Sequence, residues 1–567
     1  LPGNPSTNGS INVFAPPPSP PRSTPASPPA SPPRSPAISP SRPRRIAPRS
    51  IRPGAHAPPS ALCFLPFASP LFAAAGLGAR VNIFVRVDSS TWTSIPTFRC
   101  TSRTPAIAPS YPAVGPHPTP ATIRPMTAPT VAITGLGVVS PFGVGADALW
   151  DGLTAGRSAV APITRFDASR DPCPLGAQIP DGFSVRDFVP KTYRKATKVM
   201  CPDIELAVAA AMEAVRDARL VTRATAGDGR STTYPPDRIG CQIGAGLIAA
   251  DLDELAAAVV TAEQPDSGRF DHARWGDAGM HNLTPLWMLK YLPNMLACHV
   301  TIVHDAQGPS NTITCTHASS LLSIGESRSV IQRGDADACF SGGAESKLNP
   351  ISHIRTALAG RLGDFAPDTP GHTAVRPYDP HASGSVLGEA GGIVLAESAD
   401  AARDRGAPLY AEIVGFGAGH TPPAGSPAAR ALGLQVAVNA ALDDAQLSAD
   451  DIDAVAPTAV GVPAADHEEA AALRAVFAER LAGLPLITLT PALGDTVAAA
   501  GGLAVAAAAL ALAKQRLPAR IHAGSTPKDL RADAAPAADA TLEHVLVCST
   551  GMGGQNAALV LRRPANP

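Results

Sequence analysis

The stretch Thr314–Gly325, TCTHASSLLSIG, holds the residue types best suited to covalent chemistry. A thiol, Cys315, and an imidazole, His317, stand two positions apart where a buried helix of about twenty small and apolar residues begins. Such a helix start presents unpaired backbone N–H groups and the positive end of the macrodipole, which stabilise a nucleophile that must ionise. Two further groups occur at predicted helix starts: Asp466 with His467 in DHEEAAAL, and Asp495 in GDTVAAAGG. The plain readings are an N-cap for each aspartate, a solvated first-turn residue for His467 and a small buried hydrophobe for Cys315.

The elements that must position these groups alternate strand and helix. Upstream of Cys315, GPSNTIT reads as a turn and a short β-rich run; downstream, RGDADACFSGGAES leads into another strand. VAITGLGVVSPFG from Val131 is a buried strand ending in a tight turn, and Ile204–Leu220 is a helix with a broad Ala/Leu face. A strand follows at Ile239–Ile243. The pattern recurs with a strand in Arg405–His420, a helix over Ala428–Leu447, a strand at Leu486–Leu489 and the closing strands HVLVCST and AALVLRR. Asp495 is read as the cap of TVAAAGGLAVAAAALALAKQ, a helix apolar all round and therefore buried. Two βα-rich halves, each with a buried Ala/Gly helix, predict one layered α/β core.

Composition sets the outer part apart. Residues 1–125 hold 29 of the 61 prolines, 12 arginines, no lysine and one acidic residue, Asp88, so their charge is +11 against −12 for the remainder. Proline at that density, mixed with Ser and Arg, builds neither helix nor central strand, and the segment is expected to be disordered. A targeting peptide, a membrane anchor over Ala61–Ala79 and translation from a misplaced upstream start compete as its origin. Pro66 and Pro70 interrupt the apolar run and Met126 opens the globular pattern, which favours the misplaced start and no membrane span. The nine cysteines show no C-x-x-C spacing, which suits a reducing cytoplasm and indicates neither disulfides nor metal. No basic patch in the globular part points to nucleic acid.

The ordered series VAITGLGVVSPFG, GPSNTIT, GDADACFSGGAES, RPYDPHASGSVLGEAGGIVLAE, GAPLYAEIVGFG, DHEEAAAL, TVAAAGGLAV and GMGGQNAALVL resembles the β-ketoacyl-ACP synthases of the thiolase fold, from Val131 to about Arg563. The resemblance implies an α/β, five-layered αβαβα fold of two duplicated βαβαβαββ halves, here expected at 126–375 and 376–567. It also implies a homodimer or a heterodimer with a catalytic ketosynthase, acyl chains presented on acyl carrier protein, and no cofactor.

That family's chemistry uses a cysteine at the central helix start and two histidines. Its T-A-C-A-T/S-G-x-x-x-I-G pattern, laid so that Ile324 and Gly325 coincide, puts His317 at the cysteine position. In H-G-T-x-T-x-x-x-D, Pro463 and Asp466 fit the end and Thr458 takes the histidine position. In K-x-x-x-G-H, Gly494 fits, Asp495 takes the second histidine position and Thr490 that of the lysine. Along the acyl channel, Ser385 replaces a phenylalanine, and the gating loop G-F-G-G-T-N reads GMGGQN, with Gly551, Gly553, Gly554 and Asn556 kept and Met552 for phenylalanine. Losing one preorganised donor typically costs about 10² to 10³ in rate, and both histidines are absent. The resemblance therefore implies a noncatalytic partner similar to the chain length factors of type II polyketide synthases, in fatty acid or polyketide biosynthesis. The alternative is an active condensing acyltransferase whose nucleophile is Cys315, brought in by a two-residue slip, or His317, with His467 approaching from the other half.

Overall fold

The computed structural model describes residues 128–227, 231–422 and 426–565, and an antiparallel strand pair, Phe84–Arg86 with Trp92–Ser94. The expectations for the rest of residues 1–125, including the run Ala61–Ala79, lie outside the described residues.

Nine strands carry the core: β1 (Val131–Ser140), β2 (Ile239–Gly244), β3 (Ser310–Ile313), β4 (Ala338–Ser346), β5 (Leu387–Ser398), β6 (Ala411–His420), β7 (Ala454–Ala456), β8 (His544–Thr550) and β9 (Gln555–Arg562). The first half runs in the spatial order β3-β2-β4-β5-β1, with β3, β2 and β4 parallel and β5 antiparallel to both β4 and β1. The second half repeats it: Leu486 bridges β7 in parallel, β7 is parallel to β8, and β9 is antiparallel to β8 and β6. The duplicated halves are thus legible in hydrogen bonds. They meet where β6 pairs with β1 through Ala411–Ile133, Glu412–Ala132 and Ile413–Val131. Among the described residues the ladders of β5 to the nine strands run to β4 and β1, beside one isolated bridge from Leu387 to Asp495, so the halves divide between β5 and β6, which corrects the expected division at 375 and 376. The expected strand Leu486–Leu489 is reduced to that single bridge.

Five helices matter for the layers: α1 (Pro202–Asp217), α2 (Ser319–Gln332), α3 (Pro427–Ala445), α4 (Pro463–Phe477) and α5 (Ala500–Lys514). α1 covers the outer face of the first sheet through β1, β4 and β5. α3 covers the second through β6 and β9, with α4 against it. α2 and α5 lie between the sheets and touch strands of both, which gives the five-layered αβαβα, thiolase-like arrangement. Small residues are what let this middle layer exist. A Cβ added at Gly502 of α5 would come within 2.1 Å of the carbonyl oxygen of Gly392 on β5, so only glycine permits that approach. The segment Val497–Lys514 is long and apolar enough to cross a membrane by composition, yet most of it is buried in this core.

Candidate active site

Three loops converge between the sheets. The first joins β3 to α2: Cys315 precedes a 3-10 turn, Thr316–Ala318, that runs into α2, so His317 enters from the helix start as the spacing predicted. The second follows β7 and carries Thr458; the third precedes α5 and carries Gly494 and Asp495. Each holds a non-glycine residue at positive φ, namely Thr316 at 51°, Ala459 at 48° and Val497 at 45°. Such conformations cost about 1–3 kcal/mol each and persist only where surrounding bonds hold them.

Those bonds are present. Glu469 of α4 accepts from the backbone N–H of Thr458 (2.8 Å) and Ala459 (2.9 Å) and from the hydroxyl of Tyr378 (2.8 Å), which fixes the second loop. Glu345, at the end of β4, accepts from Ala498 N–H at 2.7 Å and pairs with Lys347, steadying the third. Thr316 Oγ1 accepts from Met552 N–H at 3.0 Å, and Ser549 Oγ donates to the His317 carbonyl at 2.7 Å, tying the first loop to β8 and the gating loop. Glu469 thus holds the loop through three accepted hydrogen bonds. Glu345 gave no sequence signal beyond its place in the GGAES motif.

The tertiary structure brings two of the sequence-predicted site residues together. Nε2 of His317 donates to Oδ1 of Asp495 at 2.8 Å, across 178 residues of chain, with His317 fully buried and Asp495 4% exposed. Burial alone would raise the Asp495 carboxyl. The charge of His317, its hydrogen bond, the Arg361 guanidinium and the Val497 N–H outweigh it and hold the group down at about 2. Asp495 Oδ1 also accepts from Val497 N–H at 3.0 Å, but the N-cap expected of it is not formed: the 3-10 turn Val497–Ala499 starts from Thr496 and α5 from Ala499, neither with a side-chain cap bond. Nδ1 of His317 has no hydrogen-bond partner among the described residues.

Thr458 does not face His317 through its side chain. Its hydroxyl pairs with that of Thr550 at 3.2 Å and accepts from Thr550 N–H at 2.9 Å. Thr490 donates to the Thr458 carbonyl at 3.3 Å. Two cavities lie on either side of the threonine pair. The inner one, bounded by Thr458, Gly494, Thr496, Gly501 and Ser549, has about 20 Å³, room for roughly one water. The outer one, bounded by Thr550, the Gly551–Gly554 loop, Asn556 and Arg361, has about 540 Å³.

The remaining candidates fall elsewhere. Cys315 is half-buried with its thiol pushed up by burial, the reverse of an activated thiolate. His467 is exposed on α4 and lines a separate cleft with Tyr378 and Arg474, which corrects the expectation that it approaches the site. Asp466 does not cap α4, which begins at Pro463. It accepts instead from Tyr378 N–H (2.9 Å) and Gly461 N–H (3.0 Å), and burial pushes its carboxyl up to about 8. Ser385 is buried and joins its backbone to that of Arg361 and Gly363. In the gating loop Gly554 N–H donates to the Gly551 carbonyl, Asn556 donates to Thr421 and Gly554, and Met552 is half-exposed. Among the described residues no group of three or more His, Cys, Asp or Glu could hold a metal ion. The sequence singled out neither Arg361 nor Thr550, since a lone arginine or threonine carries no pattern.

The models for the beta-ketoacyl synthase N-terminal and C-terminal domains match residues 128–401 and 410–524. The 3-oxoacyl-[acyl-carrier-protein] synthase 2 of Staphylococcus aureus is 31% identical over 439 residues, 76% of this chain and 98% of that protein. Among solved structures, the ishigamide ketosynthase/chain length factor aligns with a TM-score of 0.64 at 26% identity, over 77% of this chain and all of its own. A type II PKS acyl-carrier protein in complex with its ketosynthase aligns at 0.65 and 22% identity over the same shares, which speaks to fold alone. The repeated sheet order, the helix-start site between the halves and these matches have one source: the chain belongs to the β-ketoacyl synthase family of fatty acid and polyketide synthesis.

Proposed function

We propose that this chain is a noncatalytic, chain-length-factor-like member of its family that pairs with an active ketosynthase handling carrier-bound acyl chains. The carrying observation is that the nucleophile position holds an imidazole already bonded to Asp495 and fully buried. An acyl group must reach its nucleophile, and a cavity of about 20 Å³ beside the site takes none. Among the described residues His317 has no histidine as a bonding partner, and the resemblance puts Thr458 and Asp495 at the two positions where histidines would stabilise a developing oxyanion. The condensing alternative through Cys315 is disfavoured by its raised thiol.

Dimer formation is supported by β3, whose outer edge has no strand partner among the described residues and whose Ser310 and Asn311 are exposed. The partner is a catalytic ketosynthase or a second copy. The seven described cysteines are free thiols, in keeping with a reducing cytoplasm. Intact-mass spectrometry after incubation with acyl-loaded carrier tests the reading: the protein mass should stay unchanged, alone and with a co-expressed ketosynthase whose own cysteine is acylated. An acyl adduct on Cys315 or His317 would overturn it.

A further inference from the structure

A separate cleft opens along α4. It has about 450 Å³, enough for a small-molecule ligand. Three proline rings, Pro380, Pro463 and Pro527, line it together with Tyr378, and none of these belongs to the outer cavity. The charged groups at its wall are already committed. Arg474 is bound to Asp529 through two nitrogens, Glu468 to Arg430 at 2.6 Å, and Asp379 to Arg376 at 2.9 Å. Asp466, only 2% exposed, accepts from backbone N–H groups, and its carboxyl, pushed up to about 8 by burial, carries little charge at neutral pH. His467 is the exception. It is exposed, lines this cleft and not the outer cavity, and among the described residues its imidazole has neither an ion-pair nor a hydrogen-bond partner.

Charges that already have partners offer no counter-charge to a strong acid or base, so the cleft suits an uncharged molecule. Proline rings present C–H groups to the π face of an aromatic ring, the same contact by which aromatic grooves take proline. An unpartnered imidazole favours one hydroxyl, to which it can donate or from which it can accept. We propose that this cleft binds a neutral, planar aromatic molecule bearing a hydroxyl group, with its ring against the prolines and its hydroxyl on His467. Occupancy reaches the second loop through Tyr378, which stands at a φ of 64°. Its N–H donates to Asp466 and its hydroxyl to Glu469, the same carboxylate that holds Thr458 and Ala459. The proposal goes beyond the noncatalytic reading and stands whichever way the mass measurement falls.

The probe is 2-naphthol, fluorescent and uncharged at neutral pH, titrated with the full chain and followed by its anisotropy. It should bind at a single saturable site. Displacement should show it held about fivefold more tightly than its saturated counterpart decahydro-2-naphthol, than naphthalene, which lacks the hydroxyl, and than the anion naphthalene-2-sulfonate. His467→Ala removes an exposed side chain and should leave the melting temperature unchanged while weakening the probe about five- to tenfold, and Pro527→Gly should weaken it about fivefold. Unchanged affinity in both variants puts the probe elsewhere and overturns the site. Equal binding of the saturated alcohol, or tighter binding of the sulfonate, overturns the ligand class, and the absence of saturable binding overturns the proposal outright. Hydrogen–deuterium exchange at Thr458–Gly461 should slow with saturating 2-naphthol in the parent and not in His467→Ala; unchanged exchange in the parent would sever the cleft from the second loop.

Discussion

Replacing Asp495 by asparagine keeps an acceptor for Val497 N–H and removes only the charge opposite His317. The Asp495 carboxyl is held at about 2 against an ordinary 3.8. A folded value below the unfolded one means that the folded state binds fewer protons in that window. The contribution to stability is therefore complete above about pH 4 and is lost as pH falls through about 2. The difference corresponds to about 2 kcal/mol at neutral pH, about 1 kcal/mol near pH 3 and little below pH 2. Urea unfolding followed by tryptophan fluorescence, with Trp150 as a buried reporter, measures it at about pH 7, 5 and 3 for the parent, Asp495→Asn, His317→Gln and the double variant. Asp495→Asn should lose about 2 kcal/mol at the two higher values and about half that at the lowest. The double variant should lose less than the sum of the singles, since each single already breaks the shared interaction. A deficit that stays constant from pH 7 to pH 3, or a cycle that is additive, would refute a carboxylate at Asp495 held down by its contact with His317.

Other perturbations follow from the same geometry. Glu469→Ala strands the N–H groups of Thr458 and Ala459 and the hydroxyl of Tyr378, and should cost about 3 kcal/mol or more in urea unfolding; a loss under about 1 kcal/mol would mean the loop has other anchors. Gly502→Ala drives a methyl against Gly392 and should destabilise by about 1–3 kcal/mol, so an unshifted melting temperature would contradict the close approach of α5 to β5. Asp466, pushed up to about 8, keeps a proton in the fold that the unfolded chain releases, so stability falls as pH rises from about 4 to about 8. Asp466→Asn should flatten that slope while leaving the fold intact, and a melting temperature with unchanged pH dependence would count against a neutral Asp466. Cys315, its thiol raised by burial, should alkylate more slowly with iodoacetamide at pH 8 than a free thiol does, and faster labelling by peptide mass mapping would reopen it as a nucleophile.

Most of the elements are written locally in the chain. Strand and helix periodicities are local, so β1, α1, β2, β6, α3, β8 and β9 stand where their apolar patterns put them, and the all-apolar helix over Ala500–Lys514 is buried as its composition required. The sequence also carries a departure from the family's motifs, since the resemblance puts His317, Thr458 and Asp495 where cysteine and two histidines are expected. What it left open were relations between distant side chains. Spacing does not say that His317 and Asp495 bond across 178 residues, that Thr458 turns to Thr550, or that His467 faces solvent one position from buried Asp466. The division between the halves was misplaced for the same reason, since the membership of β5 is fixed by its ladders to β4 and β1 and not by any break in the chain. Packing of two sheets on one small-residue layer decided these matters. It closes the space beside the nucleophile position, leaves the outer cavity open, and turns a helix start suited to an ionised nucleophile into the seat of a buried His–Asp pair.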